Sequence, residues 1–495
     1  MATQLAALES ELRQRFAKTS DIRFRPLRVA GREGLLLFLD SMVDRDQINR
    51  DVIGPLRALE SAVAARDLLL AINVGGAAEL QPDPAQSEKA VLDGDAVIIV
   101  DGVGLIRATV ERQEHRSVDV PVVEKTTRGA RDSFTEQLRT NLGLIRPRLK
   151  DPRLRVEQIT VGARSQTACA LVYLEDVADK AILQVVRDRL KAIEVDGPMG
   201  DAHLQEYLVD NVWSPFPQLR VTERPDWVTW EVLQGKVAIL VDGSATALLG
   251  PSTLLDFYRS PEDYQHGTWE SIYVRLGLRL VAFIFSLYLP ALYVALTDVT
   301  PELLPTKLAL SIAGSREGVP FPALVEVLFM EVGLELLREA PIRMPRMLGP
   351  TIGIVGGLVL GQAAVGARIV SDIMIIVIAL TAMAQYVPPS QEISVAWRTL
   401  RWFFTISAGL LGMYGLALMT FLMLFHMAGM HSLGVPYLTA LGTPHRSLII
   451  DGIVRMPFAR FIRRPKRNHP QDEQRALPYQ QPHHNPDLER MRHEP

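Results

Sequence analysis

The sequence predicts an α/β cytoplasmic region of two related subdomains followed by an all-α membrane domain. That domain holds about four transmembrane helices plus an amphipathic or re-entrant glutamate-rich helix. Three observations predict it. Charge is spread over residues 1–275, whereas the long charge-free runs crowd into 276–445; the charge-rich half repeats itself; and one apolar stretch carries four carboxylates. A chain of 495 residues has room for two or three domains. Its net charge of −3 supplies no basic field, so nucleic acid is not expected as a partner. Cys169 is the only cysteine and lies in the apolar run "ACALVYL", which predicts a buried thiol and no disulfide within the chain.

The repeat divides the first half. "LLLFLDSMVDRDQINRDV" from Leu35 aligns without gaps on "ALVYLEDVADKAILQVVR" from Ala170. Each reads as an apolar strand ending in a carboxylate (Asp40, Glu175) and then a helix capped by Asp44 or Asp179. "GDAVIIVDG" from Gly94 resembles "GKVAILVDG" from Gly235, a strand running into an Asp-Gly turn at Asp101 and Asp242. The expected units are a first subdomain over 1–125, a basic helical connector over 126–150 and a second subdomain over 151–270. "DGVG" at Asp101 is a turn, because no glycine-rich helix opening follows it. Neither metal-ligand spacing nor a nucleophile elbow occurs, so no enzyme, catalytic residue, metal site or cofactor is expected.

The N-terminus "MATQLAALESELRQRFAKTSD" is amphipathic and acid-containing, unlike a signal peptide, which places the first half in the cytoplasm. The membrane domain is expected over 271–445, with spans near 279–298, 347–367, 370–390 and 402–426. Each is close to the ~20 apolar residues that cross ~30 Å of hydrocarbon. Pro290 is expected to kink the first span. Gly353, Gly357 and Gly361 form a stripe, every fourth residue, suited to close helix packing within a bundle or between subunits. Arg455, Arg460, Arg463, Arg464, Lys466 and Arg467 keep the tail, 446–495, on the cytoplasmic side. From about Asn468 its Pro, Gln and His content predicts disorder. With both ends on one side the crossings must be even in number. Four spans satisfy this, placing Glu302 and Ser390 outside, and the helix over 320–340 is then expected not to cross.

That helix carries Glu326, Glu331, Glu335 and Glu339, the last three on one face. Arg338, Arg343 and Arg346 are near enough in sequence to counter them. Three readings stay open: a solvated interfacial face, a docking surface, or a carboxylate ring around a pore formed by subunit symmetry. On the pore reading Glu326, Glu331 and Glu335 are ion-pathway candidates, while Glu339, Arg338 and Arg316 position the helix.

"SREGVPFPALVEVLFMEVGLELLREAPIRMP", "IGIVGGLVLGQAAVGARIVS", "VDGSATALLGPSTLLDFYRSPEDY" and "RGARDSFTEQLRTNLGLIRPRLKDPRLRVE" resemble the A-subunit family of bacterial spore germination receptors (GerA type). The likeness spans roughly residues 25–460. It implies an integral protein of the spore inner membrane, acting with a transporter-like B subunit and a lipoprotein C subunit. It further implies a homo-oligomer that forms a germinant-gated ion channel, or, in an accessory branch, a non-conducting scaffold assisting ion and dipicolinate release.

Overall fold

The computed structural model describes residues 2–60, 64–72, 78–81, 84–110, 120–121, 124, 128–265, 269–342, 357, 361–439 and 462–477. The chain divides into two compact units. One is Met1–Leu208, Val221–Pro251 and Thr443–Pro495; the other is Val209–Arg220 and Ser252–Gly442.

The first unit is mixed α/β and contains two five-stranded sheets. In the first, β1 (Ile22–Val29), β2 (Arg32–Leu39), β3 (Ala78–Gln81), β4 (Ala96–Val100) and β5 (Gly104–Ala108) lie in the order β1-β2-β4-β5-β3. In the second, β6 (Leu154–Val161), β7 (Thr167–Leu174), β8 (Arg220–Thr222), β9 (Val237–Val241) and β10 (Ala247–Gly250) lie in the order β6-β7-β9-β10-β8, the same path. Pairing is antiparallel at β1–β2, β2–β4, β4–β5 and β3–β5, and again at β6–β7, β7–β9 and β9–β10. The run "LLLFL" in β2 has no polar alternation because both faces are covered. Leu36 and Phe38 enter one core cluster, while Leu35, Leu37 and Leu39 enter another with Leu12 and Phe16, on and just after α1 (Ala2–Arg15).

The repeated motifs occupy matching places. Asp40 and Glu175 each follow the last residue of a strand, and Asp101 and Asp242 each open a hairpin turn. Gly102 and Gly243 complete those turns at φ of 70° and 86°, the left-handed region that glycine enters without steric cost. Asp44 accepts from the Asp46 and Gln47 amides at 2.8 and 3.1 Å, and Asp179 from the Ala181 amide at 2.7 Å. Cys169 is buried in β7, and burial, with the Asp242 charge, pushes its thiol up to about 11.

The connector is helical only over α2 (Leu138–Ile145) and a turn after it, less than its basic composition predicts. It is clamped from both sides. The Asp242 carboxylate accepts from the Leu138 amide at 3.0 Å, while Arg139 donates to the carbonyls of Asp40 (2.8 Å) and Val43 (3.0 Å). A Cβ on Gly143 would lie 2.5 Å from the Ser41 carbonyl oxygen, so glycine sets the contact distance. Arg146, fully buried, makes a two-pronged pair with Asp21 at 2.7 and 2.9 Å.

Over residues 468–477 the tail differs from the disorder expected of it. Described residues 462–477 pack on the second sheet's lobe, which contains α3 (Lys180–Lys191) and α4 (Pro225–Leu233). Arg464 donates to the Leu233 carbonyl (2.9 Å), Asn468 to that of Gln234 (3.0 Å), and the Gln471 amide to that of Val177 (2.9 Å). Arg475 stacks 4.0 Å from the Trp230 ring centre. Polar side chains here replace missing backbone partners, which composition does not reveal. Arg455, Arg460, His483 and His484 lie outside the described residues.

The second unit is helical. Its main elements are α5 (Trp269–Val294), α6 (Ala323–Ile342), α7 (Asp372–Ala384) and α8 (Gln391–Gly429). Among the described residues, two helical stretches are long and apolar enough to cross a membrane by length and composition, Val274–Val299 and Gln391–Gly429, the second of them bent at Gly412. Segments 209–220 and 252–270, expected with the second subdomain, belong to this unit: Phe216 and Tyr258 join the same buried cluster as Trp397.

The predicted single span at 402–426 is instead part of a helical hairpin. Gly412 has φ 61° and ψ −138°, outside helical geometry, and separates arms 391–411 and 413–429. Residues eight apart on a straight helix stand ~12 Å apart, yet the Ser407 hydroxyl donates to the Gly415 carbonyl at 3.1 Å. Phe216 stacks with both Trp397 (5.1 Å) and His426 (6.1 Å), and Tyr288 touches both Phe404 (5.3 Å) and Thr420 (3.1 Å). The arms are therefore antiparallel, with Gly412 at the tip.

The remaining helices fall into register. Leu324 meets Gly409 while Glu335 faces Arg398, so α6 runs antiparallel to the first arm along its length. α6 thus packs within the bundle through this face. The predicted span 370–390 is the helix α7 of 13 residues, ~20 Å long, ended by a turn containing Pro388 and Pro389. Arg368 lies beside Gly318 at the tip end, whereas Ser390 opens the first arm at the opposite end, so Glu302 and Ser390 lie at opposite ends and not on one face. Most of the predicted span 347–367, with Gly353, Arg343 and Arg346, lies outside the described residues.

In the first unit, burial works to raise the Asp40 carboxyl, but the Arg45 hydrogen bond and the Arg139 and Arg45 charges outweigh it and hold it below its ordinary value. At Glu157, burial is likewise outweighed by hydrogen bonds from Arg187 and Tyr173. A depressed carboxylate contributes stability above its unfolded-state value and loses it as pH falls through the folded-state value. Acidification from about pH 4 downward should therefore raise amide exchange in β1–β2 and β6–β7. Protection that holds unchanged to about pH 2 would contradict this.

Candidate functional site

The four glutamates of α6 meet four different surroundings, set by the neighbouring helices. At the tip end, Asp298 accepts from the Ala323 and Leu324 amides at 3.1 and 3.0 Å, placing a negative charge at the N-terminus of α6. Arg316 bridges Asp298 (3.0 Å) and Glu326 (3.2 Å). Glu326 is buried and accepts from the Ser371 amide at 2.9 Å, and the Ser371 hydroxyl, which caps α7, lies 3.1 Å from the Tyr293 hydroxyl. One carboxylate thus ties α6 to the start of α7 and, through Ser371, to α5.

Glu331 sits deeper, with no exposed side-chain surface, and Arg401 from the first arm places Nε 2.8 Å from its Oε1. The contact is ionic and off the N–H axis. Among the described residues neither Glu331 oxygen receives a well-directed hydrogen bond. Arg401 also points Nη1 toward the Ser286 carbonyl at 3.5 Å. That carbonyl is free of its usual helical partner because Pro290, four residues on, has no N–H. The proline expected only to kink α5 also provides an acceptor for a buried guanidinium. Arg401 thereby links three helices.

Toward the opposite end the site opens. Glu335 keeps 42% of its side chain exposed, between Arg338 at 3.0 Å and Arg398 at 3.5 Å. Arg338 also donates to Gln385 and lies over the Tyr386 ring, joining α6 to the turn after α7. Glu339 is exposed. Glu331 and Glu335 therefore share a helix face but not an environment. A Cβ on Gly357 would meet open space, and one on Gly361 would meet Ile375 at 3.9 Å. Arg401 and Arg398 are the site residues that sequence reading missed. Arg398 and Arg401 interrupt the apolar pattern in front of the predicted fourth span, which was the available signal.

The sequence profile described as "Bacillus/Clostridium GerA spore germination protein" matches residues 10–467. The chain belongs to the GerA family. It is 35% identical to "Spore germination protein KA" of Bacillus subtilis (strain 168) over 492 residues, 97% of this chain and 90% of that protein. It is 37% identical to "Spore germination protein GerLA" of Bacillus cereus over 465 residues, 92% of this chain and 94% of that one. Among solved structures it is similar to the N-terminal domain of the A subunit of the Bacillus megaterium spore germinant receptor GerK3, at 24% identity and a TM-score of 0.40. That match covers 50% of this chain and 95% of that domain. The family is that of germinant receptor A subunits, and the chain has a mixed α/β N-terminal region and a helical C-terminal part.

Removing one partner of a buried pair leaves an uncompensated charge and costs about 3–5 kcal/mol, whereas replacing both with apolar residues is close to neutral. Arg401→Leu should therefore lower the melting temperature of the detergent-purified GerA-family protein, and adding Glu331→Leu should recover most of the loss. Additive losses would show that the two side chains do not act as a pair.

Proposed function

We propose that the protein is the A subunit of a nutrient germinant receptor in the spore inner membrane, whose copies assemble into an ion channel opened by germinant. It works with a transporter-like B subunit and a lipoprotein C subunit. The observation that carries its topology is the tail. Residues 464–471 hydrogen-bond to the lobe that precedes the helices, so a membrane-embedded helical unit must be crossed an even number of times. Six crossings meet this: α5, α6, the span expected over 347–367, α7 and the two arms of α8. The four spans expected from sequence become six because α6 and the second arm are added together, which preserves the parity. The body and tail then lie on the cytoplasmic, spore-core side, in keeping with the basic residues after Ser447.

Ion passage is assigned to the half-open carboxylates. Glu335, though flanked by Arg338 and Arg398, keeps 42% of its side chain exposed, and with those arginines turned away one such carboxylate per subunit around a symmetric assembly forms a ring that concentrates cations. Glu326 and Glu331 are neutralised by arginines inside the bundle and reach the path only when those pairs separate. The same neutralisation favours a second reading, in which the subunit is a non-conducting scaffold assisting ion and dipicolinate release. The glycine stripe is assigned to packing between helices.

Cysteines introduced at Glu302 and Arg368 should label with an impermeant thiol reagent from outside, and one at Ser390 only after permeabilisation. Labelling of Ser390 from outside would restore the four-span topology. In liposomes carrying the purified subunits, Glu335→Gln should assemble normally and pass cations more slowly on germinant addition. Flux equal to the parent would remove Glu335 from the path, and a parent that assembles without flux would favour the scaffold.

A further inference from the structure

Trp213 is 96% exposed, with Val212 beside it at 56%, in a loop that is otherwise firmly held. The Gln218 side chain accepts from the Asp210 and Asn211 amides at 2.7 and 3.0 Å and donates to the Asn211 carbonyl at 2.6 Å. The Trp213 amide is capped by the Asn211 side chain at 3.1 Å. The next residue, Ser214, lies 2.9 Å from His426 Nε2 and 3.2 Å from Met430 Sδ, at the end of the second arm. Phe216 is buried between His426 and Trp397. A large indole left in water on a rigid mount is not slack chain; its position is specified.

The level of that mount indicates what covers the ring. Phe283 packs 4.5 Å from Trp397, which Phe216 also touches, so the loop stands level with the start of the charge-free run of α5 after Arg279. Arg279 itself is buried against Asp263. The second arm, on whose end the loop is docked, exposes Leu418, Phe421, Leu422 and Phe425. The loop thus lies where a lipid-facing apolar surface ends and charge begins. Tryptophan is enriched at this depth, because its ring is amphipathic and its N–H is satisfied by headgroups or water.

We infer that loop 209–216 is a membrane-interface anchor whose Trp213 ring sits among the lipid headgroups of the leaflet facing the α/β unit. The inference rests on the helical unit being embedded in the membrane. It assigns this surface to lipid and not to a protein partner. The anchor would fix the depth of the hairpin: Ser214 and Phe216 grip the ends of both arms, so the ring sets where the arms stand in the bilayer.

The test is tryptophan quenching on the full chain in liposomes, with lipids brominated near the headgroup end or near the terminal methyl of the acyl chain. The Trp213 component is the difference between the parent and Trp213→Phe, and the Trp402 component, from the first arm, is obtained the same way with Trp402→Phe. Trp213 emission should be quenched by the shallow bromolipid and little by the deep one, and this quenching should disappear in Trp213→Phe. If Trp402 is quenched by bromolipid while Trp213 is not, the anchor is overturned and the membrane reading stands. In that case, quenching of Trp213 by aqueous iodide indicates a free surface, and protection from iodide indicates a protein cover. If neither component responds to either lipid, the membrane reading itself fails.

Discussion

Glu331 is enclosed by apolar helices, and a carboxylate in such a place is stable only beside a counter-charge. Arg401 supplies it at 2.8 Å. The consequences spread through the helical unit. To meet Glu331, the first arm must run antiparallel to α6 in one register, which also sets Glu335 against Arg398 and Gly409 against Leu324. The guanidinium has more donors than one carboxylate can use, and the carbonyl freed by Pro290 draws α5 into the same junction. Under this constraint the helices cannot slide past one another without exposing a buried charge to hydrocarbon. The tip-end cluster of Asp298, Arg316 and Glu326 repeats the device one and a half turns away. A bundle locked by ionic contacts at two levels has discrete arrangements.

The α/β half was the more legible in sequence. Both strand-helix repeats, both aspartate caps and both Asp-Gly turns lie where the motifs place them, because each depends on residues within a few positions of one another. What the motifs do in the fold was not legible. Asp242 ends a strand as Asp101 does, but only Asp242 also caps the connector helix, a contact spanning about a hundred residues of chain. The tail illustrates the same limit. Its polar composition resembles disorder until Arg464, Asn468 and Gln471 are seen to satisfy carbonyls on a distant lobe.

The helical half was less legible in two places for one reason, which is that partners distant in sequence decide the outcome. The carboxylates of α6 argue for an interfacial helix when considered on that helix alone; Arg398 and Arg401, which meet Glu335 and Glu331, lie well downstream on another helix. The run from Trp402 to Phe425 reads as one span because a glycine in a hairpin tip is no different in composition from a glycine in a packing stripe. Gly412 turns the chain at positive φ, with Val299 2.8 Å from where a Cβ would stand. On the proposed topology the two differences offset each other, one helix not counted at α6 and another in α8, so the number of crossings stays even.

The most direct test of the ionic junction is a charge exchange, Glu331→Arg combined with Arg401→Glu, followed by thermal unfolding and assembly of the purified protein. If the two side chains stabilise the bundle as an oriented pair, each single reversal places like charges face to face and abolishes assembly. The exchanged protein should then recover most of the melting temperature and assembly of the parent. An exchanged protein no better than either single reversal would contradict the account, since the register of α6 and the first arm would then be set by something other than this pair.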